Sequence, residues 1–348
     1  MTLNTEKLNA LLGTMVSELG AAANAPLMLI GEKLGLFRAL SGRALTSTEL
    51  AARTGTNERY VREWLATQAA SGFVTYDAAG GTFTLSPEQA AVFAEEDSPV
   101  NMTGGFYSIA AIFAAESKLL EAFKTGKGVS WSDQCNCLFC GVERFYGPGY
   151  RGSLVAQWLP ALDGVVAKLE RGAKVADVGC GHGLSTFLMA EAFPRSTFIG
   201  IDFHEASVTH AREHGGEHAN VHFEQARAQD FAGSGYDLVT MFDALHDMGD
   251  PLGAARHARQ ALKADGTLML VEPMAGDSLT DNLNPVGRIF YASSTAICVP
   301  TSLAQEVGAA LGAQAGEKRI TELLREAGFT RVRRATATPF NMVIEARP

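Results

Sequence analysis

One stretch of eleven residues constrains this chain more than any other: Val175-Ala-Asp-Val-Gly-Cys-Gly-His-Gly-Leu-Ser185. Gly179, Gly181 and Gly183 fall within five positions, directly after an apolar run and directly before a helical one. Without a Cβ, the backbone turns sharply and lets a ligand approach closely. The N–H groups that open the next helix then face whatever lies above the sheet. A strand, a glycine turn and a helix in this order predict one edge of a ligand crevice in an α/β fold.

The rest of the C-terminal half supports that class. Apolar runs at KVADVG, TFIGID, VHFEQ, YDLVTMF and TLMLVEP alternate with helical patterns over 185–193, 205–216 and 251–263. A helical stretch, VAQWLPALDGVVAKLE, comes before them, and RITELLREAG, TRVRRATA and NMVIEAR follow. Strands alternating with helices of this length imply a mostly parallel sheet covered on both faces. Residues 155–348 are therefore read as one domain, with 276–315 as an insertion that breaks the rhythm.

Residues 1–100 have another pattern. A helix over 24–40 carries Leu27, Ile30, Leu34 and Phe37 at spacings of three and four. Thr46 and Glu49 fit a capping box on a short helix ending near Gly55, and a second helix ends at Gly72. FVTY and TFTLS flank DAAGG as a hairpin. Helix, helix-turn-helix and hairpin in sequence predict an α-helical winged-helix domain. Residues 101–154 read as a linker, helical at first and then a long glycine- and aromatic-rich loop.

Charge argues against nucleic acid as the partner. The chain has a formal net charge of −9, the wrong sign for phosphate contacts. The first hundred residues hold 7 Lys/Arg against 11 Asp/Glu, a balance of 7 − 11 = −4. No apolar run approaches a membrane span, polar residues interrupt the N-terminus before any signal-peptide core, and the five cysteines are an odd number. These features point to a soluble cytoplasmic protein.

An acid two residues before the first glycine makes the loop DxGxGxG, and the second strand ends at Asp202, nineteen residues after Gly183. A carboxylate there can accept both hydroxyls of a ribose. Phe203 would lie on an adenine face, and Gln229, Asp230 and Phe231 follow the third strand as a polar edge beside an aromatic. Cys180 in the loop and Phe242 at the end of the fourth strand complete the candidate set. On these residues the chain resembles the class I methyltransferases, whose first motif is an acidic-Gly-x-Gly-x-Gly loop. The resemblance implies a Rossmann-like seven-stranded sheet, mostly parallel with an antiparallel last strand. It implies S-adenosyl-L-methionine as cofactor, with Asp177 among the residues that bind it, Gly179 and Gly181 near its methionine part, Asp202 on the ribose, and Asp230 with Phe231 bracketing the adenine.

The fourth strand runs into MFDALHDMGDP. His246 sits just past a strand's carboxyl end and titrates near neutral pH. LHDMGDP resembles the His-Asp segment of plant-type O-methyltransferases, in which the histidine deprotonates the acceptor hydroxyl. Carried over, His246 is the candidate base, with Asp247 or Glu272 to orient it. Transfer by proximity alone is the alternative, because a sulfonium methyl is already activated. The winged helix joined to such a domain, and the YGPGYR, WLPALDGV and VADVGCGHG runs, resemble a bacterial, actinobacterial-type subgroup of small-molecule O-methyltransferases. That resemblance implies a homodimer and a small-molecule methyl acceptor.

The linker aromatics Trp131, Phe145, Tyr146 and Tyr150, with Phe290 and Tyr291 of the insertion, are candidates for a lid over the acceptor or for packing between domains. Cys135, Cys137 and Cys140 form CxCxxC. Three thiolates can hold a soft metal or metalloid, but a structural zinc site needs four ligands, so the expectation is no metal. Two other functions stay open: a metalloid or thiol methyltransferase using those cysteines, and a winged-helix regulator with a ligand-sensing domain.

Overall fold

A computed structural model describes residues 3–214 and 218–348, and of Asn136 only the backbone. The chain divides into two compact units, Met1–Ala111 with Cys140–Pro148, and Ile112–Phe139 with Gly149–Pro348. The stretch read as a separate linker is thus shared between the two.

In the first unit a long helix (Thr5–Lys33) leads into Leu36–Leu40, Ser47–Thr54 and Glu58–Ala70, then the hairpin of β1 (Thr75–Asp77) and β2 (Thr82–Thr84). The helix expected over 24–40 starts much earlier and breaks at Gly35, which takes φ 68°. Thr46 and Glu49 form the expected capping box, and Gly55 closes that helix at φ 65°. Met28, Leu36, Phe37, Leu50, Val61 and Leu65 bury together around Trp64. The Trp64 indole N–H donates to the Leu27 carbonyl at 2.9 Å, so the ring's polar end is satisfied inside the core.

The aromatic stretch read as a long loop is largely helical, over Asn136–Ser153, with Pro148 inside. Glycine and proline hide the helix from sequence propensity. The structure uses Gly141 for contact instead: a Cβ there would lie 2.9 Å from the Ser108 nitrogen. The expected helix after residue 155 is broken. A π-helical turn (Leu154–Trp158) and a 3₁₀ turn holding Pro160 precede Val165–Arg171.

The second unit is built on a seven-stranded sheet of β3 (Lys174–Val178), β4 (Thr197–Asp202), β5 (Val221–Gln225), β6 (Tyr236–Phe242), β7 (Leu262–Pro273), β8 (Arg331–Ala337) and β9 (Asn341–Arg347). The order is β5-β4-β3-β6-β7-β9-β8. The first five strands are parallel, and β9 runs antiparallel to both neighbours. Val175, Ala176, Val239, Met241, Leu268 and Leu270 are almost wholly buried, as expected of strands covered on both faces. Helix Pro251–Ala261 packs through Ala254, Ala255 and Ala258, whose small side chains let it sit close to the sheet. The helix from Glu205 is described as far as His214, and the last two residues expected of it lie outside the described residues. The insertion folds as Pro285–Ser293, a π-helical turn over Ser294–Cys298, and Val299–Leu303. Successive strands are laid to opposite sides of β3, so the carboxyl ends of β3, β4 and β6 meet at a topological switch point, where open α/β sheets bind ligands. No described helix is long and apolar enough to cross a membrane.

Candidate active site

The glycine turn rests on a buried carboxylate. Asp177 Oδ2 accepts from the Ser185 and Thr186 hydroxyls, both at 2.6 Å, and Oδ1 from Thr240 at 2.8 Å. Burial pushes its pKa up and the three hydroxyls pull against that. Both oxygens are occupied inside the fold. Asp177 therefore positions the loop, and the expectation that it faces the cofactor is corrected. Gly179, Gly181 and Gly183 take φ of 76°, 53° and 87°. A Cβ on Gly179 would fall 2.7 Å from the Ala244 Cβ, and one on Gly183 would fall 2.7 Å from the Phe223 ring. At Gly181 a Cβ would meet no atom within 4 Å, so this is the loop's open face.

Asp202 closes the turn from β4. It accepts the Gly181 N–H on Oδ2 and the His204 N–H on Oδ1, each at 2.9 Å. Burial raises its pKa against those two bonds. Each oxygen keeps lone-pair capacity for a further donor. Burial, with the Asp202 and Asp177 charges, holds the buried Cys180 thiol well above its usual range. Phe203 lies at the rim, 43% exposed.

The third-strand residues divide. Gln229 donates to the Asp250 carbonyl at 3.3 Å. Asp230 sits in a half-exposed pair with Arg227, which lowers its pKa. Phe231 is a correction: it is 2% exposed, in the sheet's core, edge-on to His257 at 4.4 Å and to Tyr236 at 6.1 Å. An aromatic that fills a core gap is not free to bracket an adenine.

Beyond β6, the short turn Leu245–Asp247 carries His246, and β7 carries Glu272. His246 Nδ1 lies 2.6 Å from Glu272 Oε2, while Oε1 accepts the Leu245 N–H at 3.1 Å. One carboxylate thus fixes both ring and turn. Asp247 lies on the other side, its Oδ1 3.3 Å from Nε2. Burial acts to lower the imidazole's pKa, but the Glu272 and then the Asp247 charge outweigh it and hold it well above the usual histidine range. The orienting role that sequence left open between two acids thus has both in contact, with Glu272 on Nδ1. Cys298 of the insertion packs here too, and burial pushes its thiol up to about 12. The insertion clamps the turn from outside. Ser302 Oγ donates to the Met248 carbonyl at 2.7 Å, and Gln305 Nε2 to the Asp247 carbonyl at 2.9 Å.

Asp243 went unnoticed in the sequence. It follows β6 directly and holds φ 48°, unusual for a residue with a Cβ. The Tyr150 hydroxyl donates to its Oδ2 at 2.6 Å, and Asn341 Nδ2 reaches both oxygens at 2.9 and 3.0 Å. Burial and the nearby Glu272 charge, opposed by the Tyr150 hydrogen bond, push its pKa up to about 8. The only sequence signal was an acid where an apolar strand ends, three residues before His246. Tyr150 also packs against Phe242 at 5.4 Å and edge-on to Trp158 at 5.7 Å.

The other lid candidates are scattered. Trp131 packs on Phe139, while Phe145 and Tyr146 pack edge-on to each other in the first unit. Tyr291 is partly exposed, and Phe290, on the same helix, is 2% exposed. Cys135 and Cys137 form a disulfide, and Cys140 is exposed. A three-thiolate metal cluster is therefore not what this stretch holds.

Asp243 gives stability a pH dependence of definite sign. Its carboxyl keeps the proton up to about pH 8 in the folded chain, but loses it near pH 4 on unfolding (about 3.9). The stabilisation is complete below about pH 4 and is lost as pH rises through about 8. Asp243→Asn cannot ionise, so its melting temperature should fall less than the wild type's between about pH 5 and 9. Equal slopes in the two melting series would refute this.

Comparison with known proteins agrees with the two-part reading. Residues 169–328 match the family described as "Methyltransferase domain", and residues 22–95 match "Rv2258c-like winged HTH domain". Nocamycin O-methyltransferase of Saccharothrix syringae is 32% identical over 173 residues, which is 47% of this chain and 61% of that protein. A ubiquinone biosynthesis O-methyltransferase of Haemophilus ducreyi is 33% identical over 107 residues, 28% of this chain and 44% of that one. The chain spans about half the length of the curated relatives it matches. Among solved structures, an O-methyltransferase of Nostoc punctiforme superposes with TM-score 0.71 at 20% identity, over 97% of this chain and 98% of that one. Human N-acetylserotonin methyltransferase in complex with S-adenosylmethionine gives 0.67 at 16%, over 97% of each. Residues 169–328 thus carry a methyltransferase domain, which in this chain follows a winged helix-turn-helix domain over residues 22–95.

Proposed function

We propose that this protein transfers a methyl group from S-adenosylmethionine to a hydroxyl of a small molecule, with His246 taking the hydroxyl proton. The observation that carries this reading is the 2.6 Å contact between His246 Nδ1 and Glu272, beside the carboxyl ends of β6 and β7. Held on Nδ1, the buried imidazole keeps Nε2 beside Asp247 and Cys298, and Nε2 is the nitrogen that takes the acceptor proton once the ring is neutral. The cofactor, when bound, supplies a methyl already activated by its sulfonium. The residues present fit it: Gly181 leaves the loop's outer face open, and Asp202 retains acceptor capacity for two ribose hydroxyls.

The chain's own groups then orient and deprotonate. The acceptor O–H proton passes to Nε2, and the charge formed on the ring is balanced by Glu272. Bound S-adenosylmethionine would supply the methyl to the acceptor oxygen and would itself become S-adenosylhomocysteine, while His246 holds the proton beside Glu272. Several similar proteins bear names of this chemistry, among them mitomycin 7-O-methyltransferase and nocamycin O-methyltransferase. In the winged helix, Arg59 pairs with Glu63 and Arg62 with Glu58 on helix Glu58–Ala70. Its basic groups are already matched, which disfavours a DNA contact.

The long first helix supports a homodimer. Leu8, Leu11, Leu12, Met15, Val16 and Leu19 form an exposed apolar stripe along it. Sedimentation should give a dimer that becomes monomeric when residues 3–19 are removed; a truncated chain still dimeric would place the interface elsewhere.

With a phenolic acceptor found by screening, His246→Ala should lower kcat by about 10²- to 10⁴-fold and leave S-adenosylhomocysteine affinity within about twofold of wild type. Glu272→Gln should lower kcat less, with the same unchanged affinity. Full turnover in His246→Ala would remove the general base and leave proximity as the mechanism.

A further inference from the structure

We propose that His246 Nε2, Asp247 Oδ1 and Cys298 Sγ form a site for one zinc ion, with a fourth position open to a water or to an acceptor atom. The three atoms lie within 4.8 Å of one another. Nε2 and Asp247 Oδ1 are 3.3 Å apart. Ligands about 2.0–2.1 Å from a tetrahedral metal stand about 3.3–3.4 Å from each other, so this edge already has the length a zinc ion requires. Imidazole, thiolate and carboxylate together suit zinc and not magnesium or calcium, which take oxygen sets.

Two independent features point to a ligand. Asp247 Oδ1 is sealed from solvent and makes no hydrogen bond of good geometry among the described residues, its one polar neighbour given being His246 Nε2 at 3.3 Å. Buried polar atoms are rarely left so, and a metal would satisfy it. Glu272 holds Nδ1 at 2.6 Å, the carboxylate–histidine arrangement that orients a metal-binding ring. The scaffold is rigid on both sides. Cys298 ends the π-helical turn Ser294–Cys298, a conformation concentrated at functional positions. Gln305 pins the Asp247 carbonyl from the same insertion.

The site has a consequence for the reaction. Nε2 is the nitrogen that would receive the acceptor proton, and bound zinc occupies its lone pair. Zinc therefore inhibits methyl transfer; this consequence rests on the general-base reading, whereas the binding does not.

The test is titration of zinc sulfate, by calorimetry, into the full chain stripped with chelator, with cobalt(II) absorption as a second probe. Wild type should bind one zinc saturably, and cobalt should give a thiolate charge-transfer band. Cys298→Ala and Cys298→Ser should lose both while still binding S-adenosylhomocysteine, which shows that they are folded. Glu272→Gln should weaken zinc by about 10- to 100-fold. No saturable zinc binding in wild type, or an unchanged isotherm in both Cys298 variants, would overturn the site and leave a plain buried ion pair. Turnover untouched by bound zinc would overturn the base assignment of His246 and leave the site standing.

Discussion

Three hydroxyls converge on the Asp177 carboxylate, and the geometry of the glycine turn follows from that contact. Ser185 and Thr186 belong to the helix after the glycine turn, and Thr240 to the neighbouring strand β6. Their hydrogen bonds tie the end of β3, the start of the helix and β6 to one buried group. Removing the Thr240 hydroxyl would take away the donor to Oδ1 and leave it desolvated, a cost of about 1–3 kcal/mol, whereas Ser185 and Thr186 share Oδ2. With the turn fixed, the Gly181 N–H meets Asp202 at the end of β4. The turn is thus held by two carboxylates, Asp177 from β3 and Asp202 from β4.

The same logic, one carboxylate holding two groups, recurs at Glu272. Its oxygens take the Leu245 N–H and the His246 ring separately, so the turn and the imidazole share one anchor. The insertion adds a second constraint from outside through Ser302 and Gln305. Its break from the strand-helix rhythm makes sense physically: it is a brace for the turn that carries the histidine, and it delivers Cys298 to the same place.

Much of this was legible in the sequence. The pattern marked β4, β5, β6 and β9 at their observed ends: β4, β6 and β9 are mostly buried and read as apolar runs, while β5 buries only Phe223. The glycine spacing marked the turn after β3, and the acid at the end of β4 is the one that accepts from that turn's Gly181 N–H. What sequence missed depends on tertiary contact. Asp177 and Phe231 occupy positions that a motif assigns to the ligand, but the fold turns both inward. Asp243 carries no motif, and its left-handed backbone and its bonds to Tyr150 and Asn341 exist only once residues about a hundred positions apart have met. The helix over Asn136–Ser153 was hidden by its glycines and proline, of which Gly141 serves a close contact with Ser108.

The central claim is that the Gly181–Asp202 bridge builds a ribose site. It is tested most directly by calorimetric titration of S-adenosylhomocysteine into wild type and Asp202→Asn, with NAD as control ligand. The account predicts saturable binding of S-adenosylhomocysteine, none of NAD, and a loss in the variant of about tenfold or more, the equivalent of about 1.5–3 kcal/mol for hydrogen bonds to a charged group. Equal affinity in the two proteins would contradict it.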